Sequence, residues 1–192
     1  MTERLKLFFW VFFVLLPNPA KSQLDELFFN GFKGVDVASN LSLKSAAQIQ
    51  DNGVLQLTNK TQRLLSHAFY SNPIQFKNST DGKAFSFSTS FAFAMVPKYA
   101  KLGGHGLAFT ISPTKEIPGP LPSQYLGLLN NTDLGNFTNH IFAVEFDTVQ
   151  DFGCHVGIDI NSLVSKKSAP AAYFDVTNSS IQVLDLKSGQ VI

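Results

Sequence analysis

Hydrophobic and polar residues alternate strictly over one stretch near the middle of the chain. Within residues 84–93, serines occupy most positions on one side, and the other side carries Phe85, Phe87, Phe91 and Phe93. A repeat of two residues is typical of a half-buried β-strand, because successive side chains in a strand point in opposite directions. The pattern therefore predicts a strand whose aromatic face lies against a hydrophobic core.

Six further runs are short and rich in β-branched and aromatic residues. They are predicted to be strands and cover residues 54–58, 107–111, 141–148, 156–160, 172–176 and 181–186. Clusters of Asp, Asn and Gly separate these runs and indicate turns. No stretch repeats apolar residues with helical spacing over three turns, so no long helix is expected. Many short strands without intervening helices predict an all-β fold, arranged as a sandwich or jelly roll.

The first 22 residues have the pattern of a secretory signal peptide. Arg4 and Lys6 precede an apolar run over residues 7–16, and the small residues Ala20 and Ser22 follow. The run has 10 residues. At ~1.5 Å each they cover about half of a ~30 Å hydrocarbon core, so a membrane span is not expected. We predict cleavage after Ser22, which leaves a mature domain over residues 23–192; the alternative interpretation is a buried amphipathic helix.

Asparagine-linked glycosylation sequons support this prediction of secretion. A random arrangement of the same composition would contain about two Asn-x-Ser/Thr triplets. The chain contains six, which begin at Asn40, Asn59, Asn78, Asn130, Asn136 and Asn178. The alternative is that loops rich in Asn and Ser produce the excess. We expect an extracellular glycoprotein.

Composition and charge exclude several other classes of protein. Hydrophobic residues make up 44% of the 192 residues and charged residues 15%, which is not the composition of a disordered chain. The formal net charge of +1 provides no basic surface for nucleic acid. Cys154 is the single cysteine, so an intramolecular disulfide and a multi-thiolate zinc site are both excluded.

One pair of predicted strands carries candidate metal ligands. Glu145 and Asp147 are two residues apart on one predicted strand, so their carboxylates share a face of the sheet. A hairpin return would bring His155 of the next strand toward them. Two carboxylates and an imidazole suit a divalent metal ion such as Mn. The alternative is a solvated polar strand face with an unrelated histidine.

The same two strands resemble a known family. The sequences AVEFDT and HVGIDINS are similar to the metal-binding strands of legume-type (L-type) lectins. The surrounding chain resembles most the ectodomain of plant L-type lectin-domain receptor kinases, in the segments FNGF, GVLQLTN, HAFYSNPIQFKN, FSFSTSFAFAMVP, GHGLAF, QYLGLLN and NHIFAVEFDTVQDF. The resemblance implies an antiparallel jelly-roll sandwich of the concanavalin type. It also implies a carbohydrate-binding domain over residues 23–192.

The resemblance further implies where metal and ligand would bind. Mn and Ca are the implied ions, and the implied metal ligands are Glu145, Asp147, His155 and Asp151. The implied ligand-binding positions are His105, Gln124 and Asp151, where sugar-binding members of the family have Asp, Gly and Asn. The implied partner is a glycan or another small extracellular ligand, and the full-length relatives are plasma-membrane proteins.

Two departures from the family pattern predict an impaired site and an incomplete fold. Only the seven residues 148–154 separate Asp147 from His155, whereas the family has several more, including an acid that bridges its two ions. We therefore expect Ca binding to be lost or very weak. The family domain also continues beyond the point where this chain stops, so we expect a C-terminally truncated ectodomain that self-associates.

The sequence also raises two functions other than sugar binding. A jelly-roll glycoside hydrolase needs a second carboxyl group ~5–5.5 Å from the first. The next position on that face after Asp147 is Val149, so we predict that the protein is not an enzyme. The changes at His105 and Gln124 keep open a non-sugar ligand-binding or decoy receptor module without lectin activity.

Overall fold

The fold is described from a computed structural model that covers residues 26–34, 39–99, 103–149 and 154–192. The predicted signal peptide (1–22) and the candidate ligand Asp151 lie outside these described residues. Contacts between residues divide the chain into Met1–Asn30 and Gly31–Ile192. Every strand described below belongs to the second unit.

The described residues form ten strands and two 3-10 helices of three residues each. The strands are β1 (Leu41–Ser45), β2 (Gln48–Ile49), β3 (Leu55–Gln56), β4 (Ser66–Tyr70), β5 (Gly106–Ile111), β6 (Phe142–Asp147), β7 (His155–Ile160), β8 (Lys167–Pro170), β9 (Ala172–Asp175) and β10 (Ser180–Val183). The short helices span Ser123–Tyr125 and Phe137–Asn139. The prediction of an all-β fold without a long helix is therefore confirmed for this part of the chain.

Four antiparallel strands in the order β5-β6-β7-β8 form the largest sheet. Glu145 on β6 lies between Ala108 of β5 and Gly157 of β7. Asp147, at the end of β6, lies between Gly106 and His155. The remaining strands pair as β1 with β4, β2 with β3, and β9 with β10.

The two faces of the large sheet are covered differently. On one face, Ala143 is buried in a small core with Leu128, Leu129 and Ile141. The opposite face is aromatic and carries Phe109 of β5 and Phe146 of β6. Because side chains alternate along β6, the face that carries Ala143 also carries Glu145 and Asp147.

The aromatic segment 84–93 is a predicted strand that forms no β-ladder in the described structure. Its phenylalanine rings do face the sheet: Phe93 lies 4.9 Å from Phe146, and Phe91 lies 6.1 Å from Phe109, between ring centroids. Backbone pairing occurs only near its ends, where Ala84 bridges Lys77 and Phe93 pairs with Ile192. The alternation correctly predicted which side faces the sheet, but not that this side is buried, since Phe85, Phe87 and Phe91 are each more than 40% exposed and only Phe93 is half-buried. A strand also needs neighbours that supply hydrogen bonds.

The other strand predictions agree with the structure to different extents. Four predicted runs agree to within one residue at each end with the observed strands β5, β6, β7 and β9. Two others are longer than the observed strands β3 and β10. Four strands were not predicted: β1, β4 and β8, whose sequences LSLKS, SHAFY and KSAP mix small, polar and apolar residues, and β2, which has only the two residues QI. Within the described residues, no helix is long and apolar enough to cross a membrane.

Candidate metal and ligand site

Strands β6 and β7 bring three predicted metal ligands together. Asp147 and His155 lie directly opposite each other, and Glu145 is two residues from Asp147 on the same face. One ligand atom from each of the three side chains lies within 4.8 Å of the other two. The antiparallel register of β6 and β7 therefore produces the cluster.

Most of this cluster is withdrawn from solvent. Glu145 is 4% exposed and His155 is 7% exposed, whereas Asp147 is half-buried. His155 Nε2 lies 3.1 Å from Glu145 Oε1, and the Ser165 hydroxyl donates a hydrogen bond to the same oxygen. Asp147 Oδ1 accepts a hydrogen bond of 2.6 Å from the backbone N–H of Val149. These contacts fix one oxygen of each carboxylate.

A glycine on β7 makes room for the Glu145 side chain. A Cβ atom at Gly157 would lie 2.6 Å from Glu145 Oε1 and would also collide with the Ser165 hydroxyl. Real Cβ atoms do not come so close to their neighbours. The Glu145 carboxylate can therefore lie across β7 toward Ser165 only because residue 157 has no side chain.

A further acid, Asp159, is buried on the same face of the sheet. It lies opposite Ala143, is 1% exposed, and neither carboxylate oxygen has a hydrogen-bond partner among the described residues. Burial, and next the nearby charge of Glu145, raise the pKa of Asp159 from 3.8 to about 7. His155 Nδ1 is likewise buried without a described partner. The site thus concentrates acidic groups and unpaired polar atoms in a buried region, which a cation would stabilise.

The donor set fits a transition metal better than calcium. Donor atoms at about 2.0–2.2 Å from one ion lie at most about 4.4 Å apart, which is close to the spacing within this cluster. Two carboxylates and one imidazole suit ions such as Mn or Zn. Calcium needs six to eight oxygen ligands, and the three clustered residues provide two carboxylates.

Of the two described residues that were predicted to bind the ligand, only one lies next to the metal-ligand cluster. His105 precedes β5, is half-buried, and its carbonyl accepts a 3.2 Å hydrogen bond from the Thr148 N–H, directly after Asp147. Gln124 is exposed in the Ser123–Tyr125 helix, and its side chain makes no hydrogen bond to another described residue. The structure therefore brings His105 to the end of β6, whereas no described contact joins Gln124 to the cluster.

Two residues of the site were missed by the sequence predictions. Asp159 could have been found, since His155, Gly157 and Asp159 alternate along β7 and must share a face. Ser165 gave no such signal, because it lies in a loop whose path depends on the pairing of β7 with β8.

Comparison with protein families gives one match over nearly the whole chain. The family described as the legume lectin domain matches residues 25–192. The L-type lectin-domain containing receptor kinase IV.1 of Arabidopsis thaliana is 45% identical over 177 residues, which are 89% of this chain and 26% of the kinase. The chain thus spans about a quarter of the length of the curated relatives it matches.

Solved structures with similar folds are also lectins. The seed lectin of Lotus tetragonolobus has a TM-score of 0.65 and 26% identity, with 84% of each chain covered. Winged bean acidic lectin, solved with methyl-α-D-galactose, has a TM-score of 0.59 and 31% identity, covering 79% of this chain and 61% of its own. These neighbours confirm the predicted jelly-roll fold.

Proposed function

Because this chain belongs to the legume lectin domain family, we propose that it is a carbohydrate-binding module in which a metal ion supports a weakened ligand pocket. The observation that carries the proposal is the buried cluster of Glu145, Asp147 and His155 at the end of β6. This cluster lies beside His105, the first implied ligand-binding residue, through the hydrogen bond of His105 to Thr148. The implied metal ligand Asp147 is thus connected to His105 through the backbone of the adjacent residue, Thr148.

We infer that the cluster holds one transition ion and that calcium binds weakly or not at all. Glu145, Asp147 and His155 would hold Mn or Zn, and the bound ion would supply positive charge to the buried acids. Only seven residues separate Asp147 from His155, which leaves few additional oxygen donors for calcium. Asp151 is the one acid among those seven.

The sugar pocket is expected to be weaker than in the sugar-binding members of the family. A neutral imidazole at His105 offers one acceptor nitrogen where a carboxylate offers two oxygens. Each buried hydrogen bond lost in this way costs about 1–3 kcal/mol. The Gln124 side chain also occupies a position where the family pattern has glycine, and Asp151 replaces an amide with a carboxylate. Simple sugars should therefore bind weakly.

A second candidate function is a ligand-binding or decoy receptor module without lectin activity. It is favoured by the same changes, since all three implied sugar-binding positions differ from the family pattern. The ligand would then be another small extracellular molecule. We expect no enzymatic activity in either case, because the nearest same-face position after Asp147 is Val149 rather than a second acid.

We also infer passage through the secretory pathway, with glycans at the six sequons and final location outside the cell. Three of these asparagines, Asn59, Asn136 and Asn178, are exposed, and the remaining three are half-buried. The relatives are receptor kinases with a lectin domain, which supports an extracellular position. Exposed apolar side chains further suggest self-association of the isolated chain.

The experiment that tests this function is a metal titration followed by a glycan array. Mn, Zn and Ca are titrated separately into metal-stripped protein by calorimetry, and the Mn-loaded protein is then applied to the array and to galactose. The matched variants are Glu145→Gln and Glu116→Gln; Glu116 is an exposed acid paired with Lys44, outside the cluster.

We expect Mn or Zn binding that Glu145→Gln abolishes and Glu116→Gln preserves, together with weak glycan binding that requires the metal. Mn binding without any bound glycan would favour the module without lectin activity. Micromolar calcium binding combined with binding of simple sugars would contradict the impaired site.

A further inference from the structure

A lysine distant in sequence reaches the start of the loop that follows Asp147. Lys187 Nζ donates a 3.1 Å hydrogen bond to the carbonyl oxygen of Thr148, across 39 residues of chain. Thr148 is buried, and its other polar groups are occupied: its N–H bonds to the His105 carbonyl and its hydroxyl to the Gly104 carbonyl. The ammonium group of Lys187 therefore completes the hydrogen bonding of this residue.

The position of Lys187 is fixed by its own turn. Leu186 is 0% exposed and anchors the turn in the protein interior. The Asp185 carboxylate accepts a 2.9 Å hydrogen bond from the Lys187 N–H, which holds the backbone of the turn. The aliphatic part of Lys187 crosses Gly103, where a Cβ atom would lie 2.7 Å from the Lys187 Cδ. Lys187 is thus half-buried and directed at the loop rather than free in solvent.

We propose that the Lys187 ammonium takes the place of a second cation by holding the start of the loop that follows Asp147. The inference deepens the proposed function, since it concerns the same site and assumes that the site holds one metal ion. A calcium ion would need backbone carbonyl oxygens from this loop, and the Thr148 carbonyl is already bound to a fixed positive charge. A further cation nearby would meet electrostatic repulsion from that charge. The loop therefore begins in an ordered state without calcium.

The test is amide hydrogen exchange at Thr148 and Val149 in the full chain, without metal or sugar. We expect Lys187→Met, which keeps the aliphatic stem but removes the charge, to accelerate exchange at these two amides about tenfold or more. Lys187→Arg keeps a positive donor and should stay close to the original protein. Lys115→Met is the matched control, because Lys115 Nζ donates a similar 2.9 Å hydrogen bond to the Ser71 carbonyl in another loop.

Calcium added alone to the original protein should leave exchange at both amides unchanged. Unchanged exchange in Lys187→Met, or equal acceleration in the Met and Arg variants, would overturn the role of the charge. Slower exchange on addition of calcium would show that a cation, not Lys187, holds the loop. If Lys187→Met fails to fold, the Arg variant and the calcium addition still decide the question. Because the comparison of the Lys187 variants contains neither metal nor sugar, its result is separate from the success or failure of the proposed function.

Discussion

Gly157 determines how closely the Glu145 carboxylate can approach the neighbouring strand. It lies opposite Glu145, and the carboxylate occupies space that any Cβ at position 157 would need. Ser165 then donates its hydroxyl hydrogen to Glu145 from beyond β7. One missing side chain thus permits the packing of a buried acid, its hydrogen-bond donor and the imidazole of His155.

The substitution Gly157→Ala should disturb this arrangement. The new methyl group must displace Glu145 or Ser165, and we expect a loss of about 1–3 kcal/mol in the free energy of unfolding. Metal affinity should fall as well, because Glu145 would leave the cluster. Chemical denaturation and calorimetric metal titration measure the two effects. An unchanged free energy of unfolding and an unchanged metal affinity would show that the site can accommodate a Cβ atom at position 157.

Asp159 should make the metal-free protein less stable as the pH rises. Its pKa is raised from 3.8 to about 7 in the folded state, so the folded protein holds this proton more tightly than the unfolded chain does. Stability from this group therefore falls between about pH 4 and pH 7 and levels off above that range.

The substitution Asp159→Asn removes the ionisable group and tests this pH dependence. The stability of the variant relative to the original protein should rise from pH 4 to pH 7 in metal-free buffer. Denaturant melts at several pH values give the comparison. A constant difference across this range would mean that Asp159 does not titrate there.

Sequence patterns predicted that Glu145, Asp147 and His155 lie together, but they did not predict what surrounds these residues. The spacing of Glu145 and Asp147 and the return at His155 follow from the two-residue repeat of strands, which is local information. The position of Ser165 depends on how β7 pairs with β8, and that of Lys187 depends on where Leu186 is buried. Such contacts are set by tertiary packing, which no short pattern in one sequence specifies.

At the scale of elements, segment 84–93 shows that side-chain pattern and backbone pairing are separate properties. Its rings pack on the phenylalanines of β5 and β6, as the alternation predicts. The backbone groups of residues 86–92 make no hydrogen bond to another described residue. Hydrophobic alternation depends on one chain and its core, whereas a ladder also depends on the positions of neighbouring strands.

The rings of this segment should contribute to stability even without a ladder. Phe93 is half-buried, and its ring contacts both Phe91 and Phe146. We expect Phe93→Ala to lower the free energy of unfolding by about 1–2 kcal/mol, less than for a fully buried phenylalanine. Phe137→Ala is the control, because the Phe137 side chain is 75% exposed and should change little. Equal effects of both substitutions in denaturant melts would refute the packing of this segment on the sheet.

At the scale of the whole molecule, apolar surface is spread over several elements within the described residues. Val176, Ile181 and Val183 are each at least 75% exposed on or next to the β9–β10 hairpin. Residues 86–92 add backbone groups that make no hydrogen bond to another described residue. Exposed apolar side chains and unpaired strand edges both favour association between chains.

The isolated chain should therefore associate as its concentration rises. We expect the apparent mass in size-exclusion chromatography with light scattering to increase over the micromolar range. Backbone amides of residues 86–92 should exchange rapidly at low concentration and become protected on association if this segment forms the contact. A monomer with cooperative thermal unfolding at all concentrations would contradict this prediction.

The tether between Lys187 and Thr148 also has a consequence for the order of synthesis. The cluster and its hydrogen-bond donor lie within a short stretch of chain, from Glu145 to Ser165. A nascent polypeptide can therefore assemble the cluster before the chain reaches Lys187. The lysine that holds the adjoining loop is translated 39 residues after Thr148. During elongation the cluster residues therefore leave the ribosome before Lys187 does, and in that interval the lysine cannot hold the loop. A nascent chain that pauses before Lys187 has emerged would present the site in that untethered form to the surrounding ions and chaperones.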